Sequence, residues 1–163
     1  MPNLSKFLAS TSQTARLAMD HAVWERVVHI NFNNNYVTPE YIALGFLSLV
    51  DCEAVKILEG RGISYASFSS GVFKGYSGPA IPAYRGLPRD SWDVAEFTTE
   101  FYEVLDHAER NARDRKTNRV RTSDLLVGLA LEPMNKFGGL LFDLNIEPDW
   151  LEKMSKNPPV TEP

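Results

Sequence analysis

The chain has 163 residues, with 17 Lys and Arg against 21 Asp and Glu, a formal charge of −4, and 44% apolar residues. That composition is soluble and globular and supports one compact domain or two small intimate ones. The negative balance excludes a global attraction to nucleic acid or anionic lipid, and the single cysteine, Cys52, excludes an internal disulfide framework.

One cysteine fits a reducing cytoplasm. The opening MPNLSKFLAS has no basic region followed by an apolar run, so no signal peptide is expected. No apolar stretch approaches the roughly 18 residues of a membrane helix, so no membrane partner is expected.

Residues 1–10 read as an arm that Phe7 and Leu8 dock on the body. A first long helix starts near Ser12. Its apolar face, Ala15, Ala18, Met19 and Ala22, follows i, i+3, i+4, i+7. It ends before Asn31–Asn35, a run that favours turns. Thr38-Pro39-Glu40 starts the next helix with a cap, a first-turn proline and an acid at the positive dipole end. From Tyr41 to about Val50 that helix is apolar nearly all round, which places it centrally. Asp51 is the expected cap of a third helix, stopped by Gly60 and Gly62. Ser64 caps a fourth, with Phe68, Val72 and Phe73 on its inner face.

Glycine and proline at 75, 78, 79, 82, 86 and 88 make a linker that resists helix and strand. Its Tyr76, Tyr84 and Trp92 predict that it packs on the surface. The second half repeats the plan. A helix from about Thr98 to Arg113 carries Phe101, Val104, Leu105 and Ala108 at the same spacing. Thr122 caps the next, Ser123 to Leu131, and Pro133 breaks it. Another runs to Leu144, and Pro148 begins the last. The tail from Asn157, with three prolines, is expected to be disordered. No run of alternating β-branched or aromatic residues predicts a strand.

The halves are copies. Val37–Ile63 and Val120–Ile146 align without a gap at an offset of 83, placing Gly45 on Gly128 and Ile63 on Ile146. Asn145 falls on Gly62, and both residues suit a left-handed position after a helix. The expected fold is all-α: two tandem four-helix repeats with pseudo-twofold symmetry. Repeat one spans about 10–75, the linker about 76–92, repeat two about 93–155, and a flexible tail 156–163.

Three features invite a chemical reading. His21 and His107 recur in Asp-His-Ala at equivalent sites, but no Cys or further His stands at ligand spacing. Repeat equivalence accounts for them, and no metal or cofactor is expected. Cys52 lies near a helix start, which lowers a thiol pKa, but it has no nucleophile context and reads as a buried small residue. The segment Arg110–Arg121 carries six cations: Arg110, Arg113, Arg115, Lys116, Arg119 and Arg121. It suits a solvated helix end, docking on an acidic protein, or contact with nucleic-acid phosphates. No paired-carboxylate or Ser-His arrangement emerges, so no enzyme is expected.

The segments 39–46, PEYIALGF, and 122–129, TSDLLVGL, resemble the T-E-H-I-L-L-G-L motif of the Clp N-terminal repeat domain. Phe97–Arg113 is similar to that domain's opening helix, and Lys56–Ile63 and Leu140–Ile146 to its closing V-L-x-x-L-G-V. The resemblance covers about residues 10–155. In that family the domain stands at the N-terminus of ATP-dependent unfoldases and receives substrates and adaptors. No G-x-x-x-x-G-K-[ST] loop is present. The resemblance therefore implies a stand-alone domain protein, an accessory, adaptor or sequestering factor whose partner is a Clp ATPase or peptidase or its substrates.

In some members the Glu of each T-E-H motif helps bind phosphorylated arginine. By position the first Glu is Glu40 and the second falls on Ser123, while the His positions are Tyr41 and Asp124. These four and the six cations are the candidate partner-binding residues. The seam between the copies is the expected surface, with helix starts at Thr38 and Thr122 open to an acidic or phosphorylated ligand. Nucleic-acid binding through Arg110–Arg121 is the alternative.

Overall fold

The computed structural model describes residues 3–29 and 36–163; the Asn31–Asn35 turn lies outside them. The arm is a short helix, α1 (Leu4–Ala9), capped by Asn3, and its Phe7 is fully buried. Helix α2 (Gln13–Val28) begins at Ser12, whose hydroxyl accepts the Ala15 amide at 3.0 Å. Repeat one continues with α3 (Pro39–Leu47), α4 (Glu53–Ile57) and α5 (Tyr65–Val72). Ser64 and Ser67 cap α5 reciprocally. A four-residue turn, α6 (Ser91–Val94), ends the linker. Repeat two holds α7 (Thr99–Asp114), α8 (Thr122–Leu131), α9 (Lys136–Asp143) and α10 (Pro148–Lys156). Gly62 and Asn145 both adopt positive φ, 75° and 58°.

Helices α3 and α8 are the buried centre, as their all-round apolar sequences require. The copies meet through aromatic edges: Phe137 of α9 packs on Phe46 at 5.6 Å and on Phe68 at 5.1 Å. Each fully buried ring contributes about 1.5–3 kcal/mol of transfer free energy.

Two very short strands, β1 (Tyr36–Val37) and β2 (Glu96–Phe97), pair in parallel, and Thr11 bridges Val120 in parallel. Neither was predicted, because each is too short for alternation to register. They obey the duplication. The segment before each opening helix pairs with the segment before the other copy's second helix. Thus Ser12 N–H donates to the Val120 carbonyl at 2.7 Å, and Thr98 N–H to that of Val37 at 3.2 Å.

The linker lies against α2. Trp92 Nε1 donates to Asp20 Oδ1 at 2.8 Å, and Tyr76 donates to the Val28 carbonyl at 3.2 Å. The tail departs from the sequence expectation: instead of being disordered, it returns to the body. Glu162 is buried, and the Pro163 carbonyl accepts the Thr14 amide at 3.1 Å. Among the described residues, no single helix is long and apolar enough to cross a membrane.

Candidate functional site

The seam at Ser12 and Thr122 is closed. Thr122, Ser123 and Asp124, the first turn of α8, are all buried. The Thr122 amide donates to Glu162 Oε1 at 2.5 Å and its hydroxyl to Glu162 Oε2. That hydroxyl also accepts the Ala54 amide at 3.1 Å, binding α4 to α8. Ser123 Oγ donates to Glu53 Oε1 at 2.8 Å. The open helix start expected at Thr122 is thus filled by the chain's own carboxylates. Neither Ser123 nor Asp124, both expected on a partner surface, reaches it.

Asp124 is the hub of a second buried cluster. It accepts Arg115 Nε at 3.0 Å, Asn111 Nδ2 at 2.7 Å and the Arg121 amide at 2.9 Å. The Arg121 bond closes the start of α8, where Thr122 was the expected cap. Burial works against the Arg115 charge, but the Asp124 carboxylate outweighs it and lifts the guanidinium pKa above its ordinary value.

Glu40 is half-buried in the first turn of α3. Thr38 stands at the cap position of α3 without a side-chain cap bond. Tyr41 is buried, and burial above all, with Glu25 and Glu40 adding to it against Arg26, pushes its phenol up to about 12. Glu40 and Tyr41 are therefore close, but only Glu40 borders solvent.

The basic segment divides. Arg115 is turned onto Asp124, and Arg121 reaches Glu53 at 3.4 Å. Arg110, Arg113, Lys116 and Arg119 are exposed. Arg110 pairs with Asp106 at 3.1 Å, and Arg113 approaches Glu109 at 3.9 Å. The outward cations are interspersed with acids and do not form an unbroken basic stripe. His107 is half-buried and His21 bonds Glu25 at 3.0 Å; no group of three metal-ligating side chains occurs among the described residues. Cys52 is buried and burial pushes its thiol up to about 11, opposite to the lowering that a helix start favours.

Sequence reading missed a cleft of about 950 Å³ between α2, α5 and the linker. His21, Trp24, Tyr65, Phe73, Ile81 and Tyr84 line it. Tyr84 of the linker packs against His21 at 4.6 Å and Trp24 at 5.2 Å. Beneath, the buried carboxylate of Glu25 accepts the Tyr65 hydroxyl and engages His21. Burial and then Glu25 raise the Tyr65 phenol pKa. The aromatic residues of the linker were the one signal pointing here. The arrangement offers apolar rings with polar edges, which suits holding a side chain more than transforming one.

The fold is that of solved Clp N-domains. The N-domain of ClpV from Vibrio cholerae superposes with a TM-score of 0.68 at 15% identity, over 94% of this chain and 87% of that one. A complex of the ClpV N-domain with a VipB peptide gives 0.68 at 16%, over 96% and 91%. The N-terminal domain of the chaperone ClpD from Arabidopsis thaliana gives 0.62 at 16%, over 90% and 92%. A comparison with curated proteins finds no match. The model of the Clp repeat (R) N-terminal domain matches residues 28–144, across both copies. The chain belongs to the Clp repeat N-terminal domain family.

Proposed function

We propose that the chain is a non-catalytic protein-binding module, an accessory, adaptor or sequestering factor of a Clp-type ATP-dependent protease or unfoldase. The observation that carries this reading is the aromatic cleft beside α2. It is large enough for apolar side chains of a partner and sits on a fold that, in the ClpV N-domain, is solved with a VipB peptide. Of the other candidate residues, Glu40 and the outward Arg110, Arg113, Lys116 and Arg119 remain proposed polar contacts apart from the cleft, whereas Arg115, Arg121, Ser123 and Asp124 serve the fold at the seam and Tyr41 lies buried. Nucleic-acid binding is less favoured, since two of the six cations face inward and two have acidic neighbours on α7.

Affinity capture from lysate of the source organism, with wild type and Tyr84→Ala in parallel, tests this reading. Recovery of a Clp ATPase or peptidase by wild type, reduced at least about tenfold by the variant, is expected from loss of a buried aromatic contact. Recovery of unrelated proteins only, or of nucleic acid released by salt, contradicts it.

A further inference from the structure

Glu162 is the feature that the family and the proposed function leave unexplained. The residue is 4% exposed, and its carboxylate accepts four hydrogen bonds: from Ser12 Oγ at 3.2 Å, Glu53 N at 2.8 Å, and the amide and hydroxyl of Thr122. No Lys, Arg or His pairs with it among the described residues. A carboxylate buried without a cation needs donors fixed in advance, and the starts of α2 and α8 supply them with their positive dipole ends.

The attachment is narrow. Beyond Asn157, the tail's hydrogen bonds to the body fall on Glu162 and Pro163. The intervening residues 158–161 are a proline-led tether that makes none to the described residues. Glu162 also sits beside a second buried carboxylate, Glu53, which accepts the Glu162 amide at 3.1 Å. Arg121 offsets part of the Glu53 charge from 3.4 Å, but the repulsion between the two carboxylates makes the seat easier to vacate.

Among the described residues, the pseudo-symmetric seam shows no such receptor. At the offset of 83, Thr122 falls on Pro39, which has neither an amide hydrogen nor a hydroxyl. Duplication alone therefore does not produce the donor set.

We propose that the starts of α2 and α8, with the Glu53 amide, form a receptor for a carboxylate on an extended peptide. The chain's own Glu162 occupies this receptor until an acidic segment of a protein partner takes its place. The tail is thus a built-in competitor that sets a threshold for partner binding. This inference does not depend on which machine the partner serves.

The test uses an acetylated, amidated, labelled peptide of residues 158–163 and the full chain, by fluorescence anisotropy. Glu162→Gln is expected to bind the peptide about tenfold more tightly than wild type, because a tethered competitor has been weakened. A peptide carrying Gln in place of its Glu is expected to bind neither protein. Equal binding by wild type and variant overturns the proposal, as does no binding by a variant with native circular dichroism. If the variant fails to fold, wild type decides. Excess peptide is expected to shift the amide resonance of the chain's own Glu162, which loses its bond to Glu53 on displacement, and no shift overturns the proposal.

Discussion

Gly45 of α3 lies directly on the backbone of Ala18 in α2: a Cβ at Gly45 would stand 2.1 Å from the Ala18 carbonyl oxygen. The second copy repeats this. A Cβ at Gly128 would stand 2.5 Å from the carbonyl oxygen of Val104, the residue 86 positions after Ala18. The glycines let the first two helices of each repeat approach backbone to backbone. Gly45→Ala and Gly128→Ala are each expected to lose about 1–3 kcal/mol or more, since backbone has to move. Gly71→Ala and Gly139→Ala, with open space at the Cβ, should be neutral or gain up to about 1 kcal/mol. Urea denaturation of the four variants checks this.

Asp124 compensates the buried Arg115 and Asn111 and closes α8. Asp124→Ala is expected to cost about 3–5 kcal/mol, because it leaves a guanidinium in the interior without its partner. Asp124→Asn keeps part of the hydrogen bonding and should cost less. Thermal unfolding of both against wild type checks the order.

Glu53 gives a pH dependence whose sign follows from its burial. Burial raises its pKa above 4.5, and the neighbouring Glu162 charge adds to this against the Glu162 amide, Ser123 and Arg121. The folded chain therefore holds this proton more tightly than the unfolded chain. Its contribution to stability rises as pH falls through the raised value toward 4.5, and is lost as pH rises. The stability of wild type minus that of Glu53→Gln should increase over that descent. A flat difference by chemical denaturation contradicts the assignment.

Cys52 should be inert in the folded protein. Its thiol is buried and pushed up to about 11, so almost no thiolate forms near neutral pH. A thiol reagent at pH 8 is expected to react only as fast as the chain unfolds. Rapid stoichiometric reaction of native protein contradicts this.

The features legible in the sequence are those written in local pattern. The glycine pair, the Ser64 cap, the left-handed Gly62 and Asn145, and the apolar spacing on α2 and α7 each follow from a few neighbouring residues. The seam did not show because its bonds join distant residues. Glu162 meets Ser12, Glu53 and Thr122 across 150, 109 and 40 positions. A lone Glu among prolines carries no periodicity to reveal that. Ser123 and Asp124 read as exposed for a similar reason: polar residues in a first turn look like caps, and only the packed α4 and α7 show what they face. The basic segment was legible as charge but not as direction, since Arg115 turns inward on a bond to a residue nine positions away.

Binding to a Clp-type machine as a protein ligand is the proposed function of this chain. Size-exclusion chromatography with light scattering tests it most directly, on the purified chain mixed with a purified Clp ATPase or peptidase from the same source. Co-elution at a defined stoichiometry, weakened by Tyr84→Ala, is the predicted result. Separate elution at concentrations well above micromolar, at low and high salt alike, would contradict it.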